Sequence, residues 1–280
     1  MTYRPFLTAA LALAQRGGAL LFESFGKGLE ASRKGAPRDI VTAVDLAIER
    51  EFREGIVRRF PGHGVWGEEE GREGAGSEFE WIVDPVDGTV NFTAGIPLCA
   101  VCLALRHRGR IVLGVVHNPF TREFYYAARG LGAWLNQDRI KVGGASNLSE
   151  AVLACAFSSK ATPDRDLEFR AFGELNDLSR GCLRTGSAAI NFAYVASGRL
   201  GGAWGRGTKI WDIAAGVVLV EEAAGKVTFL EEDPRNGRLS ASSAPGAASS
   251  ASGRVTLAAS NPSIHDALLE RLRFERVAVP

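Results

Sequence analysis

The sequence predicts an α/β fold, a mixed sandwich rather than a barrel, on three observations. The chain has 280 residues and is 46% hydrophobic, enough for one large α/β unit or two small, closely joined domains with a sizeable core. A run of strand-like segments in the first half gives way to strands alternating with helices in the second. No repeat of solenoid period occurs. Lys and Arg number 33 against 32 Asp and Glu, a net charge of +1, so no broad field invites nucleic acid or an acidic membrane.

The elements follow in order. The apolar residues from Phe6 predict an amphipathic helix to about Phe25, with Gly26 past its end. Arg4, Phe6–Ala14 and the Ala12-Leu13-Ala14 triplet imitate a secretory signal, but the pattern continues through Ala19, Leu20 and Leu21, beyond a cleavage site. No apolar stretch reads as long enough to span a bilayer, and a cytoplasmic protein is expected. Ser32–Pro37 reads as a polar, basic turn. DIVTAVDLAIEREF starts as a short strand and becomes a helix, with Ala47, Ile48 and Phe52 facing inward. Glu68-Glu69-Glu70 falls in a Gly-rich loop. A strand ends at Asp84, where Pro85 halts the ladder. Leu98–Arg106, Arg110–His117 and Glu123–Ala127 form a β-meander turned at Arg108-Gly109 and Asn118–Thr121.

Gly143–Ser149 resembles a linker. Beyond it, Ala151–Phe157 is a strand, Asp164–Leu178 a helix, Leu183–Thr185 a short strand and Ser187–Ala196 a helix packed through small residues. Trp211–Ala224 is a helix stopped by Gly225, Val227–Leu230 and Arg254–Ala258 are strands, and Pro262–Phe274 is the last helix. Ser240–Ser252 is a low-complexity surface loop. Of the four cysteines, Cys99 and Cys102 make a C-x-x-C whose members face opposite sides of a strand, and no second pair completes a zinc site. Buried, reduced thiols are expected.

The most informative run is WIVDPVDGTVNF, from Trp81 to Phe92. Asp84 and Asp87 flank a proline turn, Gly88 relaxes the backbone, and Thr89 opens a helical turn with free N–H groups. Two hard oxygen ligands beside an anion cradle suit a divalent metal and a phosphate together. Asp45, Glu68 and Asp212 each have an ordinary explanation as a helix-start acid or a solvated loop acid. No G-x-S-x-G elbow or C-x₅-R loop supplies a side-chain nucleophile. GAWGRGTK (Gly202–Lys209) has the wrong residue order and spacing for a phosphate-binding P-loop.

Taken together, DIVTAVD (39–45), GEE (67–69), WIVDPVDGTVNF (81–92), RTGSAAIN (184–191) and WDIAAGVVLVEEAAG (211–225) resemble, in order and spacing, the inositol monophosphatase family of Mg²⁺-dependent, lithium-sensitive sugar phosphatases. The resemblance runs nearly the full length. It implies a layered αβαβα sandwich, with an N-terminal α+β part (1–146), a C-terminal α/β part (147–280) and the active site between them. It further implies two or three Mg²⁺ ions: a first held by Glu68, Asp84 and the Val86 carbonyl, a second by Asp84, Asp87 and Asp212, and a looser third through water at Glu68. Thr89, paired with Asp45, would orient and deprotonate the attacking water. The Gly88 and Thr89 N–H groups would hold phosphate oxygens, and Ser158, Ser187 and Ala188 would line the substrate pocket.

Thr93-Ala94 and Ala224 depart slightly from the family pattern. Gly205 departs more. It stands six residues before Trp211, where inositol-preferring members carry a Glu that reaches ring hydroxyls. Arg206 and Lys209 flank it, so a second phosphate or another anionic group is an alternative to a polyol. The expected function is hydrolysis of a small sugar or polyol phosphate by metal-activated water. Fructose 1,6-bisphosphate, nucleotide or histidinol phosphates are alternatives, and a non-catalytic metal-binding regulator is the reading from another class. A homodimer is expected, with the apolar meander as one surface that supports it.

Overall fold

A computed structural model describes residues 2–27, 31–33, 40–157, 165–232, 239–241 and 253–272. Helix α1 (Arg4–Ser24) leads to an antiparallel strand pair, β1 (Ala31–Arg33) and β2 (Ile40–Thr42). Helix α2 (Ala43–Arg59) starts from β2 because Thr42 and Asp45 cap it reciprocally. The Thr42 hydroxyl accepts from the N–H groups of Val44 (3.2 Å) and Asp45 (3.4 Å), and Asp45 Oδ2 accepts the Thr42 N–H at 2.9 Å. Then come β3 (Gly64–Gly67), β4 (Arg72–Glu73), β5 (Phe79–Asp87), the short helix α3 (Thr89–Thr93), β6 (Ala100–His107), β7 (Arg110–Asn118), β8 (Glu123–Ala128), β9 (Gly132–Leu135) and β10 (Asp138–Ile140). The rest comprises β11 (Leu153–Ala156), α4 (Arg165–Leu178), β12 (Cys182–Leu183), α5 (Ala188–Ala196), β13 (Gly202–Lys209), α6 (Ile210–Glu222), β14 (Lys226–Glu232), β15 (Leu239–Ala241), β16 (Arg254–Ser260) and α7 (His265–Leu272).

Strands β3 to β10 form one eight-stranded sheet, ordered β10-β9-β8-β7-β6-β5-β3-β4, and β11 to β16 a six-stranded sheet, ordered β12-β11-β13-β16-β14-β15. The layers are αβαβα. Helices α1 and α2 cover the outer face of the first sheet through Leu13, Leu21, Ile48, Phe52, Trp81, Leu103 and Leu105. Helices α5 and α6 fill the space between the sheets with Phe192, Ile213, Val218 and Leu219. Helices α4 and α7 close the far face over Leu175, Trp204 and Leu268. Each such large side chain contributes about 1.5–3 kcal/mol on burial. The central layer is apolar nearly all round, as a helix between two sheets must be.

Several expectations need correction. Pro85 does not end its strand. β5 runs on to Asp87 through a bulge, pairing Asp84 with Cys102 and Asp87 with Ala100. Ala47 is exposed, while Ile48 and Phe52 are buried. Helix α6 packs on one face of the meander and α1 covers β6 and β7 on the other, while Tyr126 and Trp134, toward the far edge of the sheet, are half-buried. Helix α1 is long and apolar enough to cross a membrane by length and composition, yet its Ala10, Leu13, Ala14 and Leu21 are core residues. The last helix begins at His265 rather than Pro262. Ala31–Arg33 is a strand, and residues 34–37 of the expected basic turn lie outside the described residues. Ser240 and Ala241 belong to β15, while 242–252 lie outside them too. Cys99 and Cys102 are buried free thiols in the two opposite cores, as alternation requires.

Candidate active site

A cleft of about 340 Å³ opens where the two sheets meet the central helices. Its floor is the end of β5. In a regular strand Asp84 and Asp87 would face opposite ways. The single extra residue of the bulge shifts the pleat, so Val83 and Val86 both enter the α1/α2 core while Asp84 and Asp87 both line the cleft. Gly88 follows with φ +96°, and a side chain there would press on the Leu98 carbonyl at 2.9 Å. Thr89 then starts α3, whose first N–H groups have no intrahelical partner.

Glu68 comes from the turn after β3, and Asp212 from the first turn of α6. Glu68, Asp84 and Asp212 each offer a ligand oxygen, and these atoms lie within 4.8 Å of one another. Asp84 Oδ1 accepts the Val86 N–H at 2.9 Å. Asp87 takes a different set of partners. It accepts from the Ser187 hydroxyl and from the N–H groups of Ala189 (2.8 Å) and Ala188 (3.3 Å), and so holds the N-terminus of α5. Ser187 also caps α5 by accepting the Ile190 N–H at 3.2 Å. Asn91 Nδ2 donates to the carbonyls of Leu98 (2.7 Å) and Thr185 (2.8 Å), tying α3 to the segment before α5.

Asp45 is fully buried and faces Thr89. The Thr89 hydroxyl lies 3.0 Å from the Val86 carbonyl and 3.4 Å from Asp45 Oδ1. The neighbouring carboxylates oppose one another's ionisation. Burial first, then the neighbouring charges of Glu68, Asp87, Asp212 and Asp45, pushes the Asp84 carboxyl well above its usual range. Burial and Glu68 do the same to Asp212, partly offset by the Lys209 N–H and its charge. Burial raises Asp87 to about 6, against the opposing hydrogen bonds from Ser187 and the α5 amides. Clustered acids that resist ionising together are the arrangement a cation relieves. An all-oxygen donor set suits Mg²⁺ rather than a softer ion.

The cleft is also lined by Ser187 and Ala188, as expected, and by Lys209, whose ammonium sits 4.8 Å from the Trp211 ring centroid. Arg206 does not line it. Strand alternation puts Arg206 on the same side as Trp204, in a small apolar cavity with Leu167, Glu168 and Leu230. Its expected substrate role is therefore not supported by its placement. Ser158 lies outside the described residues. Two cations not singled out from the sequence line the cleft instead. Arg184 stands with its guanidinium 5.9 Å from the Phe157 ring centroid, and Arg254 donates to the Gly207 carbonyl at 2.7 Å. Arg184 was legible as the first residue of RTGSAAIN, and Arg254 had no signal beyond opening a strand.

The family model for the inositol monophosphatase family matches residues 2–275. The chain belongs to the inositol monophosphatase family. An inositol-1-monophosphatase of Caulobacter vibrioides is 35% identical over 265 residues, covering 93% of this chain and 98% of that protein. A Nus factor SuhB of Escherichia coli is 38% identical over 227 residues, covering 80% and 85%. The solved structure of the inositol monophosphatase of Anabaena superposes with a TM-score of 0.79 at 35% identity, covering 97% of this chain and 96% of that one. Membership makes the protein a phosphatase, a phosphoric monoester hydrolase acting on small phosphate esters. The inositol monophosphatase scaffold is generally metal-dependent, and the Glu68–Asp84–Asp212 cluster is where this chain would bind an ion.

Proposed function

We propose that the cleft hydrolyses a phosphate monoester of a small sugar or polyol with two or three Mg²⁺ ions. The carrying observation is the convergence of Glu68, Asp84 and Asp212 oxygens within 4.8 Å. In this reading Glu68, Asp84, the Val86 carbonyl, Asp87 and Asp212 are the ligands. When bound, the ions supply Lewis-acid stabilisation of the phosphoryl charge and activation of water. The chain's own contribution is orientation. Thr89, set between the Val86 carbonyl and Asp45, would accept a hydrogen bond from the attacking water and pass its own proton toward Asp45. The N–H groups of Gly88 and Thr89, at the open end of α3, would hold phosphoryl oxygens.

Two features favour an anionic leaving group over a neutral polyol. Gly205 offers no side-chain acceptor for ring hydroxyls, and a side chain there would run into the Thr208 hydroxyl at the β13 bulge. Arg184, Lys209 and Arg254 line the cleft. A panel of inositol 1-phosphate, fructose 1,6-bisphosphate, histidinol phosphate and 3′-phosphoadenosine 5′-phosphate, with Mg²⁺ and with and without Li⁺, tests both readings. Faster Mg²⁺-dependent phosphate release from the doubly anionic esters supports the second. Equal rates across the panel remove its force, and no release from any ester refutes the enzyme assignment. The four free cysteines fit a reducing cytoplasm. The net charge of +1 favours small esters over nucleic acid as partners. A homodimer is the proposed assembly, checked by sedimentation.

A further inference from the structure

Helix α2 carries a second buried carboxylate, Glu49, one turn beyond Asp45. Asp45, Glu49 and Arg53 are spaced four apart, so they share one face. Glu49 is fully buried and Arg53 nearly so. Glu49 Oε2 accepts the Glu69 N–H at 2.8 Å, and Oε1 accepts the Glu70 N–H at 2.9 Å. Arg53 backs the carboxylate from the other side, donating to Oε1 from Nε at 3.0 Å and Nη2 at 2.9 Å. The same Nη2 reaches the Gly71 carbonyl at 2.5 Å, and Gly71 in turn accepts the Gly67 N–H at 2.9 Å. Gly67 has no side chain because one would occupy the space of the Glu49 carboxylate.

The segment so gripped is the turn between β3 and β4, and its central residue is Glu68. Both peptide N–H groups that follow Glu68 end on Glu49. A loop residue offered to a metal needs such a support, since nothing in a turn fixes its carboxylate by itself. Stability alone gives little reason for this arrangement, because a buried ion pair roughly breaks even against an apolar pair of similar volume.

We propose that Glu49, backed by Arg53, is a positioning residue that sets Glu68 for metal binding. One rigid helix then indexes two parts of the site: Asp45 against Thr89, and Glu49 against the Glu68 turn. The inference rests on the reading of Glu68 as a metal ligand.

The test uses the full chain stripped of metal, with Mn²⁺ as the probe and binding read by calorimetry or EPR. Glu49→Gln keeps the volume but puts an amide where two N–H donors converge. Its Mn²⁺ affinity falls about 10–100-fold, the range for lost outer-shell support. The Mg²⁺ concentration for half-maximal phosphate release rises in proportion, and kcat at saturating Mg²⁺ largely recovers. A lower melting temperature with unchanged Mn²⁺ affinity overturns the proposal. Should Glu49→Gln fail to fold, Arg53→Lys and Gly67→Ala disturb the same grip from its two other sides. Weakened Mn²⁺ binding in either supports the proposal, and unchanged affinity in both overturns it. Glu68→Gln separates the two failures. If it weakens Mn²⁺ binding and Glu49→Gln does not, only the positioning role is lost. If Glu68→Gln has no effect, the ligand assignment and the inference fall together.

Discussion

Asp84 and Asp212 are surrounded by more negative charge than the Lys209 ammonium beside Asp212 offsets. Burial and neighbouring carboxylates hold both well above their usual range. The site is therefore built to be completed by a cation, and removing one ligand removes more than one contact. Asp84→Asn or Asp212→Asn is expected to reduce kcat by well over tenfold, since a lost ligand forfeits several kcal/mol of transition-state stabilisation. The folded state should survive or gain stability, because each change deletes a like-charge repulsion. Phosphate-release kinetics alongside thermal melting checks both parts, and a variant that keeps a tenth of the wild-type rate contradicts the assignment. Asp84 was legible because DPVDGT is a dense local pattern, and Asp212 only because WDIAAGVVLVEEAAG matches together with it. That Asp84 and Asp87 share a face was not, since it depends on one extra residue in the register with β6. Arg206 was misplaced for a related reason. It was placed by its adjacency to Gly205 in the sequence, whereas in a strand Trp204 and Arg206 share the face away from Ala203.

At the scale of elements, the site depends on where four helices, α2, α3, α5 and α6, begin. Ser187 caps α5 and donates to Asp87, so it joins the DPVDGT segment to the central layer. Ser187→Ala is expected to lower stability by about 1–3 kcal/mol, a lost cap plus a buried carboxylate oxygen short of a donor. A denaturation midpoint that falls at constant slope measures it, and an unchanged midpoint rules the cap out. Helix α6 has a different constraint. It crosses β7 at Gly114, where a side chain would strike the Ala215 backbone. Gly114→Ala is expected to cost about 1–3 kcal/mol and to reduce activity by displacing Asp212 at the head of α6. Full activity in a folded Gly114→Ala variant would show that α6 has slack. The long helices were readable from apolar periodicity. Strands β3, β4, β9 and β10 are two to four residues long and carry too little pattern to read, and β12 (Cys182–Leu183) lies one to two residues before the short strand expected at Leu183–Thr185. Glu49 was invisible for a physical reason: its partners are peptide N–H groups of a turn, which no side-chain pattern announces.

At the scale of the whole molecule, the acidic cleft makes stability and metal binding depend jointly on pH. Burial raises the folded-state pKa of Asp87 to about 6 from an ordinary 3.8, and holds Asp84 and Asp212 well above their ordinary range too. The folded, metal-free protein therefore holds protons that the unfolded chain has already released. Where the unfolded state binds fewer protons, stability falls as pH rises. The loss begins near pH 4, where unfolded carboxyls ionise, and continues through pH 6, where folded Asp87 ionises. Divalent cation binding reverses this, since only the ionised carboxylates are ligands, and its affinity grows as pH climbs through the same window. EDTA-treated protein is expected to melt at a higher temperature at pH 5.5 than at pH 7.5. Saturating Mg²⁺ should raise the melting temperature far more at pH 7.5 than at pH 5.5, with protons released into a weakly buffered solution. A Mg²⁺ shift independent of pH would mean that the carboxylates are already neutralised within the protein, whereas a metal-free melting temperature that rises from pH 5.5 to pH 7.5 would mean that His63, His117 and His265, whose pKa values burial lowers, outweigh them.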